Sequence, residues 1–189
     1  MIYRTDSITG VCLTLYERGL SVGTQGNISM RGEDRNFCYI TPQGLHKGAQ
    51  EFIPLKVRID NGAWAELNKQ THLKPSSEMQ MHLEIYKKCP SVNAIIHAHP
   101  PHAIAVSSHF PYSILAPNET EESYIVAPYK TPASLELAEE VAAFAQEFNS
   151  FILERHGAVT TGATMQEAFD RIEMLEHACK VHWLVKALK

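Results

Sequence analysis

The sequence predicts an α/β protein built on a mixed sheet covered by helices. Two observations carry that reading. Helical and strand-like segments alternate along the chain, and several strands are joined by turns too tight for the crossovers that a purely parallel sheet needs. No repeat, linker or low-complexity tract interrupts the alternation, and 189 residues suit one domain covering residues 1–189.

The elements follow in order. DSITGVCLTLYERGL places Ile8, Val11, Cys12 and Leu15 at helical spacing, with Asp6 or Ser7 as candidate cap and Gly19 as stop. NFCYITP is a strand of aromatic and β-branched residues ending at Pro42. VRIDNGAW contains Asp60-Asn61-Gly62, a hairpin signal. SSEMQMHLEIYKK is a helix that stops before Pro90, and VNAIIHAH is an apolar strand. SLELAEEVAAFAQEF is an amphipathic helix capped by Ser134, with acids in the turn where the helix dipole favours them. SFILERHGAVTTG reads strand, turn, strand. The last helix, TMQEAFDRIEMLEHACKVHWLVKAL, carries Phe169, Ile172 and Leu175 on one stripe.

Composition narrows the function. A net charge of -4 gives no basic face for nucleic acid or anionic membrane, so any anionic ligand must be held by local chemistry. Cys12, Cys38, Cys89 and Cys179 are far apart and form no CxxC pair; free thiols in a reducing cytosol are the simplest reading. The N-terminus has no apolar signal core and no run is long enough to span a bilayer, so a cytoplasmic protein is expected.

The strand VNAIIHAH ends in chemistry. Side chains alternate faces along a strand, so His97 and His99 project together while Ile96 and Ala98 face away. Neutral imidazoles two residues apart on a rigid strand suit a tetrahedral zinc site, which then needs further ligands. His156, in the turn before Gly157, is the best further candidate. His102 lies beyond Pro100 and Pro101 and suits a supporting or acid/base role better than direct ligation. His72, His82, His109, His177 and His182 read as surface or packing residues, and His46 remains a candidate substrate contact.

Three loops offer anion-binding chemistry. GTQGNISM carries Gly23, Gly26 and Asn27, whose backbone N–H groups can converge. TPQGLHKG supplies Thr41, Gly44, Lys47 and Gly48. KPSSEMQ puts Ser76 and Ser77 at a helix start, where free N–H groups hold phosphate. None matches a Walker or dinucleotide fingerprint. Glu78 stands beside this cradle, placed to act as general base or as metal ligand.

GNIS, TPQG, PSSE, HAHP and RHG occur in the order found in the class II aldolase/adducin family, which the chain resembles from Ser7 to the final helix. The resemblance implies a three-layer α/β/α fold around a mixed, mainly antiparallel sheet. It implies a fourfold homotetramer with active sites between neighbouring subunits. It assigns Zn²⁺ (or Mn²⁺, Co²⁺ or Fe²⁺) to His97, His99 and His156. Glu78 is then the catalytic carboxylate, also binding the metal until substrate displaces it. Gly26, Asn27, Thr41, Gly44, Ser76 and Ser77 become the phosphate- and substrate-binding positions. The implied activity is reversible cleavage of a small ketose 1-phosphate, of the fuculose 1-phosphate kind, to dihydroxyacetone phosphate and an aldehyde.

The chain also departs from the family pattern. Gln43 stands where a small residue is common. The stretch from His109 to Tyr129 is shorter than its counterpart, and Tyr112 and Tyr124 are the candidates for a tyrosine supplied by a neighbour. Longer relatives carry another active-site tyrosine in a C-terminal tail, and no residue up to Lys189 is expected to take that role. Rival readings on the same metal site are a pentulose-phosphate 4-epimerase, a methylthioribulose-phosphate dehydratase (with Glu119, Glu121 or Glu122 as acid/base) and a sugar-acid phosphate decarboxylase. A non-catalytic adducin-like binding module is the rival of another class; it needs neither zinc nor Glu78.

Overall fold

The computed structural model describes residues 7–49, 51–69, 71–109 and 124–188. In chain order the elements are α1 (Ile8–Glu17), β1 (Asn27–Arg31), β2 (Phe37–Ile40), β3 (Leu55–Arg58), a 3-10 turn at Ala65–Leu67, α2 (Met79–Lys88), β4 (Ala94–Ala98), α3 (Pro101–His109), β5 (Ile125–Ala127), α4 (Leu135–Glu147), β6 (Ser150–Leu153), β7 (Gly157–Gly162) and α5 (Met165–Ala187). The caps follow the sequence: Ser7 caps α1, while Asp6 lies outside the described residues. Ser134 and Thr164 cap α4 and α5 by accepting from Leu137 N–H and Glu167 N–H.

The strands form one sheet in the order β3-β2-β1-β4-β7-β6-β5. The β5–β6 pair is parallel; the other neighbours are antiparallel. The sheet is therefore mixed and mainly antiparallel. On one face α1, α3 and α5 bring Val11, Leu15, Val106, Phe169 and Ile172 against Ile28, Ile96 and Ile152. On the other, α2 and α4 bring Leu83, Ile85 and Val141 against Ile40, Ile95 and Phe151. This is the three-layer α/β/α fold.

β4 lies in the middle of the sheet and is buried on both faces. Ile95 and Ile96 are fully buried on opposite sides, each stabilising the fold by roughly 1.5–3 kcal/mol. The alternation that places Ile95 in the α2–α4 layer sends His97 to that layer too, toward the start of α2.

Two local expectations need correction. The turn at Asp60-Asn61-Gly62 forms, but no second strand returns beside β3 among the described residues. Instead the Asn68 side chain accepts from Lys56 N–H and donates to Lys56 O, occupying the sheet edge as a strand would. Pro100-Pro101 does end β4, yet Pro101 also opens α3, because the first position of a helix needs no N–H donor. All four cysteines are free and buried. Among the described residues, no helix is long and apolar enough to cross a membrane.

Candidate metal centre

Two strands, one turn and the start of α2, which carries Glu78, deliver the site. β4 supplies His97, and His99 follows just beyond it, held where its N–H donates to Leu20 O at 3.0 Å. β1 lays Asn27 directly beside His97 in the antiparallel register. The β6–β7 turn supplies His156, whose N–H donates to Leu153 O. The residue that adopts the left-handed conformation in this turn is Arg155 (φ 56°), not Gly157. Gly157 serves clearance: a Cβ there would meet Ala98 O, His97 Cε1 and His99 Cδ2. Gly26 combines both needs, with φ +76° and a hypothetical Cβ 2.6 Å from His97 O.

The ligand atoms of His97, His99 and His156 all lie within 4.8 Å of one another. His97 Nδ1 is 3.0 Å from Ala158 O, so it carries the proton and leaves Nε2 as a lone-pair donor. His99 Nε2 is 3.1 Å from that atom. Glu78, at the start of α2, places Oε2 3.3 Å from His97 Nε2 and Oε1 3.3 Å from His156 Nε2. Its Oε1 is buried and has no hydrogen-bond partner. Three converging imidazoles and a buried oxygen short of a donor are what a divalent cation satisfies.

The electrostatics agree. Burial lowers the pKa of His99 to about 3 and of His156 to about 4, with neighbouring imidazoles adding to the effect. Both are neutral near neutral pH, the form that ligates a metal. Burial alone would raise the Glu78 carboxyl; protonated His97 and His156, with the Asn27 amide, outweigh it and hold it below its ordinary value, and once the imidazoles are neutral the Asn27 N–H is the donor that remains.

These groups sit in a cavity of about 230 Å³ whose walls are the three loops singled out in the sequence. Gly26, Asn27, Gly44, Ser76, Ser77 and Glu78 line it, as do His99, His156, Gln25 and Gln43. A larger cavity of about 490 Å³ lies between α5 and the segment holding Arg18 and Leu20, but among the described residues its walls hold no convergent set of three metal ligands.

Some expected residues sit elsewhere. Thr41 is fully buried; its hydroxyl accepts from Ile28 N–H, so it braces β1 instead of lining the cavity. His102 turns toward α5, where Nδ1 lies 2.6 Å from Glu176 Oε1 and the backbone N–H donates to the same carboxylate oxygen. It does not join the three converging imidazoles. Tyr124 is 2 % exposed and lines the larger cavity. Tyr112, Glu119, Glu121 and Glu122 lie outside the described residues. His46 is exposed and packs on Tyr16. Lys47 is 1 % exposed and donates from Nζ to Thr24 O and Leu45 O, tying two of the loops together from behind.

Sequence reasoning missed His82. It is fully buried and bonded to Asn27 and Ser29, immediately behind the site. The available signal was its position four residues after Glu78, on the same helix face. Pro132 and Ala133, also in the cavity wall, carried no comparable signal.

Comparison with known proteins agrees with this geometry. Residues 6–183 match the Class II Aldolase and Adducin N-terminal domain family. The chain belongs to that family. This class II aldolase-family chain is 36% identical over 182 residues to an L-fuculose phosphate aldolase of Methanococcus maripaludis, covering 95% of this chain and 96% of that one. It is 34% identical to a 3-oxo-tetronate 4-phosphate decarboxylase of Haemophilus influenzae, covering 93% and 85% of the two chains. The crystal structure of L-fuculose-1-phosphate aldolase from Thermus thermophilus superposes with a TM-score of 0.81 at 27% identity, covering 98% of this chain and 94% of that one.

Proposed function

We propose that this protein is a zinc-dependent lyase that reversibly cleaves a small ketose 1-phosphate to dihydroxyacetone phosphate and an aldehyde. The observation that carries this reading is the joining of two kinds of site in one cavity. Three imidazoles and Glu78 stand together where the Gly26, Gly44 and Ser76–Ser77 loops meet. A structural zinc needs no anion cradle beside it.

His97, His99 and His156 would hold the metal, with Glu78 beside them. A divalent metal there supplies a Lewis acid that stabilises negative charge developing on the substrate oxygens. The loop N–H groups and the Ser76 and Ser77 hydroxyls receive the phosphate and orient the substrate. Glu78 carries the proton to and from the carbon that becomes nucleophilic in the condensation direction. In cleavage, the hydroxyl on the departing carbon gives up its proton as the carbon–carbon bond breaks and its oxygen becomes the aldehyde carbonyl; Glu78 delivers one proton to the remaining three-carbon fragment, so the proton count is unchanged. Gln43 lies in the cavity wall, which supports a role for it in discriminating among substrates. Assembly as a homotetramer belongs to the same reading; sedimentation at four times the chain mass is its check.

A second reading is favoured by the 34% identity to the 3-oxo-tetronate 4-phosphate decarboxylase. Loss of carbon dioxide from a 3-oxo acid leaves the same kind of electron pair beside a carbonyl. Glu78 would then protonate that carbon to give dihydroxyacetone phosphate. Metal-replete protein incubated with ketose 1-phosphates and 3-oxo-acid 4-phosphates separates the two by NMR of the products. Dihydroxyacetone phosphate with an aldehyde supports the aldolase reading. Carbon dioxide release, or a recovered epimer without net cleavage, replaces it.

A further inference from the structure

A continuous chain of buried hydrogen bonds runs from the heart of the α2 layer to Glu78. Tyr86 Oη is 2.8 Å from Ser29 Oγ, and Ser29 Oγ is 2.7 Å from His82 Nδ1. His82 Nε2 is 2.5 Å from Asn27 Oδ1, and Asn27 Nδ2 is 2.8 Å from Glu78 Oε2. Ser29 and His82 are fully buried, while Tyr86 and Asn27 are 2 % and 3 % exposed. Water has little access to repair an error in this chain, and only the Tyr86 hydroxyl has a second, longer acceptor, Asn93 O at 3.5 Å.

The direction of every bond follows from its end. An ionised Glu78 only accepts, so the Asn27 NH₂ must face it and the Asn27 oxygen must face His82. That oxygen only accepts, so His82 must carry its proton on Nε2. A neutral His82 then accepts at Nδ1, and the Ser29 hydroxyl must donate there. Ser29 Oγ, with its proton committed, accepts from Tyr86 O–H. Burial, with a contribution from His97, lowers the pKa of His82 to about 3 and keeps the ring neutral, so the chain retains one polarity.

We propose that His82 is a positioning residue: as the Nε2–H tautomer it fixes the Asn27 amide, which in turn fixes the Glu78 carboxylate toward the converging imidazoles. His82 touches neither substrate nor metal. This inference rests on the reading of Glu78 as the proton-transfer group. It assigns Asn27 a task beyond the anion loop, because both ends of its side chain are already engaged.

Two substitutions isolate the one bond that matters. His82→Gln keeps a side-chain N–H near the Nε2 position and so keeps a donor for Asn27. His82→Asn is neutral and polar too, but reaches only the Nδ1 position and loses that donor. The readout is deuterium exchange into dihydroxyacetone phosphate by zinc-loaded protein, followed by NMR, with bound zinc and urea stability measured alongside. The expected result is exchange near the wild-type rate for His82→Gln. For His82→Asn it is a ~10–100-fold lower maximal rate, with KM and bound zinc retained. Equal rates in the two variants, or losses that track stability or zinc content, overturn the proposal.

If His82→Asn does not fold, the wild type still decides the matter. Nitrogen-15 NMR of the histidine rings must show His82 protonated on Nε2 and bare on Nδ1; the opposite tautomer overturns the relay. A wild type with the expected tautomer but no exchange removes the role of Glu78, and the positioning role with it.

Discussion

Gly157→Ala is the sharpest structural perturbation of the site, because it adds one methyl group and no charge. The new Cβ would press on Ala98 O and lie 3.0 Å from His97 Cε1 and 3.1 Å from His99 Cδ2. Carbon atoms rest about 3.5–4.0 Å apart, so both rings fall short by roughly 0.5 Å or more. The Ala98 contact is backbone and cannot swing aside. Either β7 moves off β4, where Ala98 pairs with Ala158, or the two imidazoles tilt. Overpacking of this kind costs ~1–3 kcal/mol of stability. A ligand shift of that size exceeds the ~0.2 Å tolerance of a metal site, and a ~10–100-fold weaker zinc affinity is expected. Competition with a chromophoric chelator measures the affinity, and urea unfolding of the metal-free protein measures the stability. Wild-type zinc affinity together with wild-type stability would refute the claim that Gly157 is there for clearance.

Two further predictions follow from the same geometry. Glu78→Gln keeps the shape of the side chain but cannot carry the proton; deuterium exchange into dihydroxyacetone phosphate should fall by ~10²–10⁴-fold while the unfolding midpoint stays near wild type. Undiminished exchange would place the base elsewhere. Acid should destabilise the metal-free protein well above the range of ordinary carboxylates. His82 titrates at about 3 when folded and near 6.5 when unfolded. Above the higher value neither state is protonated and the contribution is complete. As pH falls below it, only the unfolded chain takes the proton, and stability drops until the folded value is reached. Between pH 6.5 and about pH 5 this amounts to about 2 kcal/mol from His82 alone, and His82→Gln should remove that share of the pH slope in urea titrations.

The centre of the site was legible in the sequence because strand geometry is simple. A period of two aims His97 and His99 together whatever surrounds them, and the Arg155-His156-Gly157 turn stands out beside an apolar strand. The loops were legible as clusters of glycine and serine, and five of the six proposed phosphate positions do line the cavity. Thr41 was not separable from them, since only the pairing of β1 with β2 shows its hydroxyl turned to Ile28 N–H. His82 was hidden for a related reason. A histidine on an amphipathic helix is legible as inside or outside, but its partners Asn27 and Ser29 come from a strand 53 to 55 residues away in sequence. His102 looked close to the site because it is close in sequence, yet Pro101 starts a helix that carries it toward Glu176. Fold class was readable from tight turns and alternating elements, whereas the strand order depends on long-range pairing that no local signal encodes.

His97, His99 and His156 together should hold the divalent metal on which turnover depends. Zinc content after metal loading and dialysis, measured by mass spectrometry on the wild type and on His156→Ala, tests it most directly when paired with dihydroxyacetone phosphate release from the best substrate. Equimolar zinc and turnover are expected in the wild type, with loss of both in a folded His156→Ala variant. A wild type that binds no zinc, or a variant that keeps its zinc and its turnover, would contradict it.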